Sequence, residues 1–255
     1  MQKADSNTAK HAFLKLLNDE NLAAASTYDS NTEVFDIAIN AWNISSVARY
    51  FKAPSSAHVL AISYRVQVDK ANFLVIANVL RRHYSAALSH LRMAIDNSTI
   101  SFGIFHSPDD YIDLIKQHKD TKKLDDSIKK LSNRIFKNHS VALNNDVKSL
   151  KGMLSSFGPH PSYGHLGSNV SIDTEASAMT LNIFDRRRTE YEVGILGCML
   201  HEITFFHDAL MHLDEKMRTD LVKEISVHEM NNIKLSIDKM KRDNLPLFIK
   251  LFSQN

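Results

Sequence analysis

The sequence predicts an all-α fold, a multi-helix bundle of about seven helices with one small β-hairpin after a Gly/Pro-rich loop. Three observations carry this. Glycine and proline are scarce, at seven and five in 255 residues, and three of those glycines (Gly158, Gly164, Gly167) and two of the prolines (Pro159, Pro161) fall within ten positions. The long stretches on either side lack helix breakers, and apolar residues recur along them at helical spacing. Hydrophobic residues make up 44% and charged residues 24%, the balance of a folded chain rather than a disordered one.

The elements follow in order. A short first helix is expected over 7–18, with Phe13, Leu14, Leu16 and Leu17 clustered on it. A second runs over 32–51, capped by Asn31 or Thr32, with Val34, Ile37, Ala38, Trp42 and Val47 at helical spacing. After the turn Ala53-Pro54-Ser55-Ser56, with Ser56 as N-cap, the stretch 57–80 carries apolar residues on nearly every face, the mark of a central helix. The next helix, 83–105, is rich in small residues (Ala86, Ala87, Ser89, Ala94, Ser98, Ser101, Gly103) that permit close packing. Ser107-Pro108-Asp109-Asp110 opens another: a cap, a proline at N1, and two acids facing the helix dipole.

From Asp113 to Lys151 the apolar positions thin out, as in helices of an outer layer. In 169–184 Val170, Ile172, Met179, Leu181 and Ile183 alternate with polar residues, which predicts the hairpin. A long apolar helix is expected over 191–217 and a last one over 220–241, broken by Pro246 before the apolar tail Leu247 to Phe252. The chain is thus expected to form one helical domain, 1–255. Its parts are a central pair over 57–107, basic outer helices over 113–151, a loop and hairpin over 158–187, and C-terminal helices with the tail over 188–255.

Composition narrows the function classes. The polar stretch Met1 to Lys10 lacks the apolar core of a signal peptide, and no window offers the ~18 uninterrupted apolar residues of a membrane span. One cysteine, Cys198, sits in an apolar run and is expected to be a small buried hydrophobe, so no intrachain disulfide forms. A cytoplasmic setting without membrane contact is the expectation. The formal charge of +2 is too small to imply nucleic acid, but 113–151 holds ten Lys and Arg against five acids. That local excess, with Lys122, Lys123, Lys129, Lys130 and Arg134 as its candidate phosphate contacts, suits an anionic partner such as RNA. P-loop, dinucleotide, esterase and paired Cys-x-x-Cys motifs are lacking.

Two constellations carry chemistry. In the first, Arg92 and Asp96 share a helix face at i,i+4, and Gly158-Pro159-His160-Pro161-Ser162-Tyr163-Gly164-His165 brings two imidazoles and two hydroxyls onto a restricted loop. The helix of Arg92 reads as buried, and a buried guanidinium must be paired. His160, Ser162 and His165 join Arg92 and Asp96 as candidate catalytic residues. The competing reading is a clamp that ties the loop to the bundle. The second constellation is His201, Glu202, His207, Asp208 and His212. Its spacing fits neither zinc-hydrolase nor di-iron motifs, so neither a metal nor any other cofactor is expected. The residues are then expected to hydrogen-bond buried polar groups.

Leu91-Arg92-x-x-Ile95-Asp96, followed by Ser107-Pro108-acid and the His160-Pro161-Ser162 loop, resembles helical proteins related to the HEPN superfamily, among them abortive-infection and antiphage proteins. The resemblance spans about 59–213. The group usually carries glutamate where this chain has Asp96. The resemblance implies a HEPN-like effector or accessory protein in a defence or stress system, acting on RNA without metal. Arg92 would hold phosphate, His160 would move the proton and Asp96 would orient one of them. HEPN ribonucleases also carry Arg-x(4–6)-His, and Arg134 to His139 has that spacing, but Ile135 replaces the usual polar residue. The alternative from another class is a non-enzymatic adaptor, or a homodimer, that docks through the C-terminal apolar segment.

Overall fold

The computed structural model describes residues 6–46, 56–118, 120–139, 141–157, 170–173, 178–181, 189–211 and 227–243. Among them are nine helices rather than about seven: α1 (Ser6–Ser30), α2 (Thr32–Ser45), α3 (Ser56–Leu80), α4 (Tyr84–His106), α5 (Pro108–Gln117), α6 (Thr121–His139), α7 (Val141–Phe157), α8 (Thr189–Met211) and α9 (Val227–Asp243). Two strands, β1 (Val170–Asp173) and β2 (Ala178–Leu181), pair antiparallel with Val170 opposite Leu181 and Asp173 opposite Ala178. The residues between the strands, and the strands' side chains, lie outside the described residues, as does the apolar tail. Among the described residues no helix is long and apolar enough to cross a membrane.

α3 and α4 make the most extensive helix contact, as the small residues of α4 predict. Ser101 on α4 is buried and its Oγ donates to the Ala61 carbonyl of α3 at 3.1 Å, so the backbones run close. The turn between them is a Schellman motif. His83 N–H reaches Asn78 O at 2.8 Å, Arg82 N–H reaches Val79 O at 3.0 Å, and Arg82 stands at φ 59°, where glycine is usual. Arg82 Nε donates to Thr27 Oγ1 at 3.0 Å, which fixes this turn against α1.

α8 packs on α2, α3 and α4 and contributes Leu196, Met199, Leu200 and Phe206 to a continuous core with Phe35, Leu91, Ile95 and Phe102. α6 crosses α4 at Gly103. A Cβ there would overlap the Tyr111 hydroxyl and come within 3.1 Å of the Ser132 Cα, so only glycine admits the contact. The buried Tyr111 hydroxyl and Ser132 Oγ share a hydrogen bond at 2.7 Å, and burial pushes the phenol up from its ordinary pKa.

Several boundaries depart from the sequence reading. α1 continues past Asn18 to Ser30 because Leu22 to Ala25 is a strong helix-forming run with no breaker after it. α2 ends at Ser45, α8 at Met211, and α9 begins at Val227. Asn31 and Ser107 take N-cap positions without side-chain caps. Asn31 Nδ2 instead donates to Glu192 Oε2, and Ser107 Oγ meets His106 Nδ1 at 3.1 Å. α3 is central, but not because it is apolar all round. Val59, Val66 and Phe73 are exposed, while Arg65, Asp69 and Asn72 are buried.

Candidate functional site

Arg92 and Asp96 do meet. Arg92 Nε lies 3.2 Å from Asp96 Oδ2, and Lys151 of α7 places Nζ 2.6 Å from Asp96 Oδ1. Arg92 Nη1 also donates to the Lys151 carbonyl at 3.0 Å. This cluster pins α7 to α4. It is not buried as expected, since the Arg92 and Asp96 side chains are 40% and 42% exposed. His160, Ser162 and His165 lie outside the described residues.

Beside the cluster, Ile95, Val147 and Leu150 join His201, Glu202, Phe205 and Phe206 around a narrow cleft of about 10 Å³. Its lining is apolar apart from His201 and Glu202. Glu202 links the cleft to a network that the sequence reading missed. Ser98 Oγ donates to Glu202 Oε1 at 2.5 Å and Asn72 Nδ2 donates to Oε2 at 3.0 Å. Arg65 Nη1 donates to Ser98 Oγ at 3.3 Å, and Arg65 Nη2 lies 3.9 Å from Asp69 Oδ1. All five residues are buried.

Burial pushes the Glu202 carboxyl above the usual carboxylate range. The Arg65 guanidinium and the hydrogen bonds from Ser98 and Asn72 pull it partly back. Arg65 Nε and Asn72 Oδ1 have no hydrogen-bond partner among the described residues. Arg65, Asp69 and Asn72 stand at i, i+4 and i+7, a polar stripe in an apolar helix, and that spacing was the available signal. A second buried carboxylate, Glu192, accepts from Asn31 Nδ2 and from Tyr84 Oη at 3.0 Å.

Of the histidine-rich segment, Glu202 does hydrogen-bond buried polar groups. His201 is half-buried with its ring 6.1 Å from that of Phe205, and Cys198 is buried. The side chain of Asp208, and all of His212, lie outside the described residues. Among the described residues no three His, Cys, Asp or Glu side chains converge as metal ligands. Arg134 and His139 diverge: Arg134 is exposed, whereas the His139 ring packs 4.9 Å from Phe102 and 5.6 Å from His106.

The basic segment resolves into an amphipathic α6. Leu124, Ile128, Leu131, Ile135 and Phe136 face the bundle, the first half-buried and the rest buried. Lys122, Lys123, Lys129, Lys130, Arg134 and Lys137 are exposed, and none forms an ion pair with another described residue. Asp125 and Asp126 sit in the second turn, so positive charge is densest over Lys129 to Lys137. No known protein family, curated protein or solved structure matches the chain.

Proposed function

We propose that this chain is a HEPN-related effector or accessory protein of a defence or stress system, and that it binds RNA through the exposed face of α6. The observation that supports the reading is the run of exposed cations from Lys129 to Lys137, held on a helix whose apolar side is anchored in the core. Lysines and arginines without protein counter-ions release condensed counter-ions from phosphates on binding, which drives sequence-independent association. The buried apolar side argues against a membrane surface, which would need that side free. Arg92 is better suited to clamping than to catalysis, because its Nε and Nη1 are already committed to Asp96 and the Lys151 carbonyl. A cleaving version would assign phosphate to Arg92 and proton transfer to His160.

The test is a gel-shift titration of RNA with the full chain and with Lys129→Glu/Lys130→Glu/Arg134→Glu/Lys137→Glu. The reading expects binding by the former and its loss in the latter. Incubation with total RNA, alongside His160→Ala and Arg92→Ala, separates binding from cleavage. A second reading, a non-enzymatic interaction subunit, draws on α3. There Val59, Val66 and Phe73 are 53%, 41% and 50% exposed in one i, i+7, i+14 stripe.

A further inference from the structure

Among the described residues, no side chain of the first half of α1 is buried in the bundle. From Glu20 onward α1 is fastened to the α3–α4 turn. Glu20 Oε1 lies 3.4 Å from both Arg81 Nε and His83 Nε2, and Thr27 is buried under Arg82. Between His11 and Asp19 the described side chains are exposed except half-buried Leu16. The fifteen residues from Ser6 to Glu20 are all helical, and at a rise of ~1.5 Å per residue they span about 21 Å.

This arm is not a polar tail. Phe13, Leu17, Glu20, Ala24 and Thr27 follow 4-3-4-3 spacing, so Phe13 and Leu17 continue the stripe that carries the two attachment points. They are 59% and 40% exposed, and Leu14 beside them is 49% exposed. Isolated helices of this length are marginal in water, and such a cluster of large apolar side chains marks an interaction surface.

We infer that the occupant is a second copy of this chain, its α1 arm lying antiparallel across the first about a two-fold axis at Lys15. The pattern on the stripe is palindromic in chemistry. Lys10 stands three residues before Phe13, and Glu20 stands three after Leu17. An antiparallel pairing in which the two positions sum to 30 sets Phe13 against Leu17 and Lys10 against Glu20, each twice. Arg81 and His83 both reach Oε1 of Glu20, so a lysine from the second copy would approach the carboxylate from its Oε2 side. A parallel pairing would instead stack Lys10 on Lys10 and Glu20 on Glu20. Closed two-fold pairing of identical surfaces is also the commonest assembly. This inference is independent of the RNA-binding reading, since α6 takes no part in it.

Sedimentation equilibrium of the full chain should give twice 28.9 kDa. Phe13→Asp/Leu17→Asp should return a monomer whose helical circular dichroism falls by no more than the arm contributes. Lys10→Glu should weaken the dimer about ten-fold, because the symmetry repeats each surface ion pair of ~0.2–1 kcal/mol twice, whereas Lys10→Arg should not. A wild-type monomer at the highest soluble concentration overturns the proposal. So does a dimer unaffected by the apolar double variant, and so does a dimer indifferent to Lys10→Glu.

Discussion

Glu202 offers the sharpest test of how the bundle is held together. Its two oxygens accept from Ser98 and Asn72, and Arg65 is the nearby cation. Glu202→Ala would strand Arg65 in the core with only Asp69 as counter-charge and would leave Ser98 and Asn72 without acceptors. Removing one partner of a buried charged network costs about 3–5 kcal/mol. At roughly 2–4 °C per kcal/mol for a chain of this size, the melting temperature should fall by about 6–20 °C.

Glu202→Gln should behave differently. Its Oε1 still accepts from Ser98, and Asn72 can flip its amide so that Oδ1, now without a partner, accepts from the new Nε2. The cost should stay near ~1 kcal/mol.

The two carboxyl states also set a pH slope. Burial raises the folded-state pKa of Glu202, so folding takes up a proton between the unfolded value and the higher folded one. That contribution to stability is complete below the unfolded value and is lost as pH rises through the folded one. Urea unfolding of wild type and Glu202→Gln from pH 4 to 8 should therefore show the glutamine variant gaining on wild type as pH rises. An alanine variant as stable as wild type, or a glutamine variant that loses ground with rising pH, would refute the network argument.

Other substitutions probe neighbouring parts of the account. Gly103→Ala should destabilise by about 1–3 kcal/mol through overlap with the Tyr111 hydroxyl. Tyr111→Phe in the same chain should recover much of that loss, because Ser132 Oγ still bonds the Ile128 carbonyl; urea midpoints of the single and double variants decide it. Arg92→Ala should cost only ~0.2–1 kcal/mol in thermal unfolding, since the ion pair with Asp96 is two-fifths exposed. It should leave RNA affinity unchanged, whereas a large loss of affinity at unchanged stability would move Arg92 from clamp to binding site.

What the sequence made legible was local. Ser107-Pro108-Asp109-Asp110 announces α5 because proline acts on its own residue and its neighbour, and the structure starts the helix at Pro108. The amphipathic character of 121–139 is likewise written in its own spacing. The Arg92–Asp96 contact was legible because i,i+4 neighbours meet on any helix, but its exposure was not, since that depends on how far α7 extends over α4. The inward polar stripe of α3 was hidden for the same reason. Arg65 is received in the core by Ser98, 33 residues away, and by the Ser45 carbonyl, 20 away, and Asn72 by Glu202, 130 residues away. Asn31 was read as a cap because capping is local, and a distant Glu192 takes its side chain instead.

The central claim, that α6 is a phosphate-binding face, is tested most directly by the salt dependence of RNA affinity. Four phosphate contacts from Lys129, Lys130, Arg134 and Lys137 would give a slope of about −3 in log affinity against log salt. Affinity should then fall roughly fifty- to 150-fold between 50 and 200 mM salt. Reversing those four charges should abolish the slope along with the binding. An RNA affinity that the charge reversal leaves unchanged, with the same salt slope, would contradict the claim.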